Sequence, residues 1–332
     1  MLQLLRKIAF PISLIYALVV YVRNFLFDVG VFSSKSYKTP TICVGNLSVG
    51  GTGKTPMTEY LLRILSNRKT AVLSRGYKRK SKGFYMGDSE STVLELGDEP
   101  YQIHQKFPEV TVAVDADRRN GIEKLESLLN PDIIVLDDAF QHRRVKPTLS
   151  ILLTTYHNLY VNDWYLPTGN LRDAKKEAKR ADLIIVTKCP NSIDLEDKNR
   201  VIGKLKPKSR QKVLFATLKY NDFVTDGRKD NIQFSQLKAK QLALVTGIAS
   251  PKPLVEYLNS HRINFKHFEF GDHHHFTNKE IEQFEGYEMV LTTEKDFVRL
   301  KGRLENLYYL EITHNFSSTD AEVLKKAVQG LF

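Results

Sequence analysis

A chain of 332 residues is long enough for about two domains with a sizeable core, and its 49 Lys and Arg against 38 Asp and Glu leave a net charge of +11 that calls for an anionic partner. Its two cysteines, Cys43 and Cys189, exclude a disulfide-stapled scaffold and favour a reducing compartment such as the bacterial cytoplasm. Neither an aromatic-interleaved basic repeat nor a zinc pattern accompanies the charge, so the anion is expected to be a membrane surface or a phosphorylated substrate, with no nucleic acid.

At the amino terminus, Ile8 to Val22 is an uncharged, mostly apolar run of fifteen residues between Arg6-Lys7 and Arg23. It falls short of the roughly 20 residues that span a bilayer. Asn24-Phe25-Leu26-Phe27 follows without a small-residue cleavage site, which argues against a removable signal peptide. On a helical wheel Arg6, Ser13, Ala17 and Asn24 form one narrow stripe and the rest is apolar. Residues 1–28 are therefore expected to form a helix lying in the membrane interface, with its basic residues at the headgroups. A buried core helix and a spanning helix are the alternatives.

Thr41 to Pro56 reads as a β-strand, a phosphate-binding loop and a helix start. Ser48, Val49, Gly50, Gly51, Thr52 and Gly53 supply backbone N–H groups around an anion, Lys54 a positive charge and Thr55 a hydroxyl suited to Mg²⁺. Ser48 stands where the strict pattern wants Gly, but the apolar strand before the loop and the helical pattern after it supply the required context. The next strand, Thr70-Ala71-Val72-Leu73, ends in Ser74-Arg75-Gly76-Tyr77, which sets Arg75 at a strand end facing a ligand crevice. Lys78 to Lys82 reads equally well as a solvated basic loop. Asp98, in Gly97-Asp98-Glu99-Pro100, reads by pattern as a helix cap. After strand Val110 to Val114 come Arg118 and Arg119, candidates for substrate contact.

Ile133-Ile134-Val135-Leu136 predicts a strand buried on both faces, with Asp137 and Asp138 at its carboxyl end, where P-loop proteins hold or orient Mg²⁺. His142 follows as a polar contact at the same rim. Ser150 to Thr154 is a further strand, Leu166 to Asp173 opens a helix over Ala174 to Ala181, and Leu183 to Lys188 is the next strand. A guanine-specific Asn/Thr-Lys-x-Asp pattern fails there because position 190 is Pro, so ATP is the expected nucleotide. Val213 to Leu218 adds a strand, the polar stretch Tyr220 to Lys240 reads as a connection, and a second α/β pattern runs from Leu242 to Leu310. Within it, His273, His274 and His275 are adjacent in a loop, where an acid/base partner is a better reading than a metal site.

Six motifs in this order resemble the tetraacyldisaccharide 4′-kinase family of the lipid A pathway over nearly the whole chain: Lys54-Thr55-Pro56, Ser74-Arg75-Gly76-Tyr77, Gly97-Asp98-Glu99-Pro100, Asp137-Asp138-Ala139-Phe140-Gln141-His142, Gly247-Ile248-Ala249 and Asp272-His273-His274. The resemblance implies transfer of the ATP γ-phosphate to the 4′-hydroxyl of an acylated disaccharide 1-phosphate at the cytoplasmic face of the inner membrane, with no obligate protein partner. It also implies that Lys54 and Thr55 act in the P-loop, that Asp137 and Asp138 serve the Mg²⁺ region, and that Asp98 is the base, helped by His273. Arg172 and its acidic neighbour belong to the family site; here that neighbour is Asp173 where Glu is usual, and Ala139 replaces a usual Gly. The expected fold is α/β: a P-loop NTPase-like parallel-sheet domain over 29–219, a second, smaller α/β domain over 220–332 and the membrane-associated helix over 1–28. Read from residues alone, the chemistry reaches a membrane-attached Mg-ATP phosphotransferase, with a P-loop ATPase or nucleotide-binding scaffold for another anionic partner as the alternative.

Overall fold

Apolar runs without alternation make strands covered on both faces, and these fill the centre of the first sheet. They are β1 (Thr41–Asn46), β2 (Thr70–Ser74), the short β3 (Tyr85–Met86), β4 (Thr111–Val114), β5 (Ile133–Asp137), β6 (Leu149–Thr155), β7 (Leu183–Cys189) and β8 (Lys212–Tyr220). β1, β2 and β5 are buried at every position. This is a computed structural model that describes residues 6, 8–227, 231–238 and 240–332. A second sheet holds β9 (Phe223–Thr225), β10 (Asn231–Gln233), β11 (Leu242–Thr246), β12 (Lys266–Glu269), β13 (Met289–Thr293) and β14 (Leu307–Leu310), after which β15 (Ile312–Phe316) returns to the first sheet. The spatial orders are β15-β8-β7-β6-β1-β5-β2-β4-β3 and β10-β9-β14-β13-β11-β12. Parallel pairing of β1 with both β5 and β6 puts their carboxyl ends side by side, the usual ligand edge of such sheets.

The longer helices are α1 (Phe10–Asp28), α2 (Lys54–Ile64), α3 (Asp98–Lys106), α4 (Arg118–Leu129), α5 (Leu195–Leu205), α6 (Lys252–Ser260), α7 (Asn278–Glu285), α8 (Glu294–Leu300) and α9 (Ser318–Gln329). Three details differ from the sequence reading. The stretch read as a connection, Tyr220 to Lys240, carries β9, β10 and a helical turn at Phe234–Leu237, because short alternating segments suffice for an antiparallel edge; its residues 228–230 and 239 lie outside the described residues. The segment read as a helix from Ala174 forms a 3₁₀ helix over Lys175–Arg180, with Glu177 N–H donating to Ala174 O at 2.9 Å. The expected second domain over 220–332 is interrupted: β15 pairs antiparallel with β8, and Leu324 and Val328 of α9 bury against the first sheet's core.

α1 sits with its polarity inverted relative to a soluble helix. Its polar stripe faces the protein: Arg6 donates to Pro167 O (3.1 Å), Gly169 O (2.9 Å) and Asn170 Oδ1 (2.8 Å), Ser13 donates to Thr168 Oγ1 (2.8 Å), and Asn24 Nδ2 donates to Asp173 Oδ1 (2.7 Å). Its apolar side chains face outward, with Ile12, Leu14, Ile15, Leu18 and Val19 all more than half exposed. Residues 1–5 and Lys7 of the expected 1–28 segment lie outside the described residues.

The two sheets are tied together by charge. Lys106 Nζ, at the end of α3, lies 2.6 Å from carboxylate oxygens of Glu59 on α2, Glu294 at the start of α8 and Glu311 between β14 and β15. Burial, and then the neighbouring Glu59, push the Glu294 carboxyl up to about 8.

Candidate active site

The loop after β1 curls back on itself. Gly50 and Gly53 take φ values of 113° and 87°, which side chains with a Cβ rarely adopt, and Thr52 N–H donates to Gly50 O at 2.9 Å. No side chain caps α2, so its first N–H groups are left for another acceptor, an arrangement suited to phosphate. The loop's outer side is pinned. Asn46 Nδ2 donates to Thr52 Oγ1 (2.8 Å), Val49 N–H to Asn170 O (2.7 Å), Thr187 Oγ1 to Thr52 O (2.8 Å) and His314 Nε2 to Gly53 O (2.9 Å). The carbonyls of Thr52 and Gly53 are thus both engaged by neighbouring strands. Burial lowers His314 to about 4, so its ring is neutral, and because Gly53 O only accepts, Nε2 carries the proton. Ser48 joins the loop to Leu171 by a single bridge, and Lys54 and Thr55 open α2.

At the end of β5, Asp137 and Asp138 behave differently. Asp137 is buried, accepts from Ser74 Oγ at 3.2 Å and leaves Oδ1 without a hydrogen-bond partner. Burial, reinforced by Glu99 and Asp138, pushes its carboxyl up to about 7. A divalent cation suits that orphaned oxygen, since it satisfies the acceptor and favours the charged form. Asp138, with φ of 46°, turns both oxygens to the Arg172 guanidinium, one of them at 2.9 Å from Nη1, and Lys54 Nζ lies 3.9 Å from its Oδ2. Burial opposes ionisation there, but Lys54 and Arg172 together hold the Asp138 carboxyl low.

Asp98 begins α3, yet Gly97 is the cap residue and the Asp98 side chain makes no capping hydrogen bond. The carboxylate instead points to the second sheet, where Oδ2 lies 2.8 Å from His273 Nδ1 and accepts from Arg299 Nε at 3.1 Å. Two cations flank the His273 ring, Lys295 Nζ at 3.0 Å from Nε2 and Arg299 Nη2 at 3.0 Å from Nδ1; because the Asp98 carboxylate, held ionised, can only accept, its 2.8 Å contact requires the proton on Nδ1. Burial alone raises the Asp98 carboxyl, but hydrogen bonds from His273 and Arg299 and the Arg299 charge hold it well below the usual carboxylate range. The support extends inward: Arg299 Nη1 donates to buried Asp296, whose Oδ2 accepts from Gly247 N–H at 2.8 Å, and His273 N–H donates to Gly247 O at 3.1 Å. The Gly247-Ile248-Ala249 motif is thus the backbone seat of this pair.

The remaining candidates divide. Arg172 belongs to the acid pair, whereas Asp173, expected with it as a substrate contact of the family site, points the other way and binds Asn24 and, at 3.7 Å, Arg23 of α1. Arg118 is buried beneath the rim and donates to Asp115 O (2.7 Å) and Asp137 O (3.3 Å), so it supports strand ends instead of reaching a substrate. Arg75 is exposed at the end of β2, and Arg119 pairs with Asp117 at 2.8 Å in an open cleft with Ser33, Lys35 and Glu123. His142 Nε2 stands 3.6 Å from Asp117 Oδ1, and burial followed by the Arg118 charge lowers it to about 4. His274 pairs with Glu280 at 3.1 Å. Sequence reading missed Arg299, Lys295, Asp296, Thr187 and His314, none of which sits in a glycine-rich or strand-end signature except Thr187.

A family model described as tetraacyldisaccharide-1-P 4′-kinase matches residues 5–329. A protein of Flavobacterium johnsoniae named tetraacyldisaccharide 4′-kinase is 48% identical over 95% of this chain and 94% of its own, and one of that name from Bacteroides thetaiotaomicron is 45% identical over 89% and 83%. Among solved structures, LpxK from Aquifex aeolicus in complex with ATP superposes with a TM-score of 0.82 at 32% identity over 99% of both chains. A pinned phosphate loop, a carboxylate pair at the neighbouring strand and an Asp–His pair spanning two sheets thus coincide with end-to-end similarity, and the chain belongs to the tetraacyldisaccharide-1-P 4′-kinase family.

Proposed function

We infer that this protein is a tetraacyldisaccharide 4′-kinase that transfers the γ-phosphate of ATP to the 4′-hydroxyl of an acylated disaccharide 1-phosphate. The observation that carries the reading is the Asp98–His273 contact at 2.8 Å, which joins the nucleotide-binding sheet to the second sheet. Glu99, next to Asp98, is near enough to Asp137 to raise its carboxyl, which supports a single site containing base, acid pair and phosphate loop.

In this reading the loop N–H groups of Gly50, Gly51 and Gly53 and the Lys54 ammonium hold the β- and γ-phosphates, and the transferred group lies between Lys54 and Asp98. Asp98 accepts the proton of the 4′-hydroxyl, while His273 Nδ1–H and Arg299 keep its carboxylate oriented. Mg²⁺, when bound, neutralises phosphate charge; Thr55 and the free oxygen of Asp137 would hold it. Asp138, with both oxygens on Arg172, serves to fix Arg172 and Lys54 at the phosphates. Residues 29–219 with the returning 312–332 form one body and 220–311 the other, closing over the nucleotide.

The outward apolar face of α1, together with the net positive charge of the whole chain, supports attachment to the cytoplasmic leaflet of the inner membrane. Incubation with γ-labelled ATP, Mg²⁺ and a tetraacyldisaccharide 1-phosphate in mixed micelles is expected to place label on the 4′-position. ATP turnover without labelled lipid would instead favour a membrane-attached ATPase.

A further inference from the structure

β7 does not end regularly. Its pairing with β8 shifts register between Val186 and Cys189, and Lys188 inside this bulge takes φ of 55°, a left-handed conformation that a lysine adopts at a cost. Thr187 is thereby turned to Thr52 O of the phosphate loop at 2.8 Å, and Lys188 Nζ comes within 3.8 Å of the position that a Cβ on Gly51 would occupy. The Lys188 side chain is partly buried, burial lowers its proton affinity, and it has no acidic partner among the described residues. The bulge accounts for the Thr187 contact but not for the ammonium it sets against the loop, because an ammonium removed from water without a counter-charge destabilises the fold.

The location identifies the missing counter-charge. Lys54 and Asp138 mark the γ-phosphate side of the loop, toward β5. Lys188 lies on the opposite side of β1, past β6, so a phosphate chain whose γ end is at Lys54 and Asp138 and which crosses the loop brings its nucleoside end toward Lys188. We propose that Lys188 is a second cationic nucleotide-binding residue, its ammonium on the ribose and α-phosphate oxygens and its methylene stem against the base. This rests on the reading that the loop binds an adenine nucleotide, and deepens it.

The test measures ADP and non-hydrolysable ATP-analogue affinity by calorimetry on the full chain without lipid, alongside the Tm of the nucleotide-free protein. Lys188→Met is expected to weaken both nucleotides about tenfold, the worth of one charge-assisted contact, while the nucleotide-free Tm stays level or rises because the uncompensated charge is gone. Lys188→Arg is expected to retain most of the affinity. Because the contact lies on the nucleoside side, ADP and the ATP analogue should lose equally. Affinities within twofold of wild type in Lys188→Met would overturn the proposal, as would a loss confined to the ATP analogue. Failure of the wild-type protein to bind ADP would refute the nucleotide reading itself, which separates the two failures.

Discussion

Arg299 and Asp98 meet across the boundary between the two sheets, with Arg299 Nε donating to Asp98 Oδ2 over 3.1 Å while the same guanidinium donates to Asp296 at 3.0 Å. Asp98, the proposed base, therefore stands in a fixed orientation, held from the sheet opposite to its own. Arg299→Leu is expected to lower kcat by roughly ten- to a hundredfold and leave the KM for ATP within about twofold. The pH profile carries the sharper sign. Arg299 and His273 hold Asp98 ionised through the acid range in spite of burial. Without Arg299 the carboxyl takes its proton at higher pH, so the acid limb of kcat should move upward. An unmoved limb would mean that this ion pair does not set the base's proton affinity.

Asp98→Asn separates catalysis from helix capping. Asn caps about as well as Asp, and here the side chain caps nothing, so the fold should be intact. A loss of kcat of roughly 10² or more with ATP affinity retained is expected. Combining it with His273→Ala should add little to the poorer single variant, because the two act as a unit. Multiplicative losses in the double variant would reject the coupling.

The Lys106 cluster carries a pH-dependent stability. Glu294 is pushed up to about 8 by burial and by Glu59, so the folded state binds its proton more tightly than the unfolded chain does. That contribution is fully present below the ordinary carboxylate pKa and is lost as pH rises through about 8. Glu294→Gln should accordingly raise Tm by a few degrees at pH 8.5 and leave it unchanged at pH 5, measured by calorimetry. A lower Tm at pH 8.5 would show that the third carboxylate stabilises the junction.

Much of the site was legible because its signatures are local. A glycine loop between a buried strand and a helix, or two acids after four branched residues, is set by neighbours in sequence, and Ser48 to Thr55 and Asp137–Asp138 could be read accordingly. Asp98 was ambiguous by pattern alone, since its partner His273 is 175 residues away and only the packing of two sheets brings them together. Arg299 and His314 carry no local signature at all; they matter because α8 and β15 approach the site in space. The stripe of Arg6, Ser13 and Asn24 was visible, but its direction was not. The polar side faces the protein because residues 166–173 present carbonyls and Asp173 for it to bind.

That inversion makes a prediction for the membrane. Ile15→Glu with Leu18→Glu, both on the outward face, should release the protein from anionic vesicles in a sedimentation assay while ADP affinity stays within about twofold. Unchanged sedimentation would assign the attachment to another surface.

Arg172 and Asp173 are consecutive, and they face opposite ways: Arg172 grips Asp138 at the end of β5, and Asp173 receives Asn24 from α1. In the proposed membrane-attached kinase, this one peptide unit would couple the height of the helix in the bilayer to the plane in which phosphate is transferred. An enzyme so mounted meets its acceptor by lateral diffusion, in two dimensions. Its velocity should then follow the mole fraction of acceptor lipid in the surface, falling on dilution with inert detergent or phospholipid even when the bulk amount of acceptor is held constant.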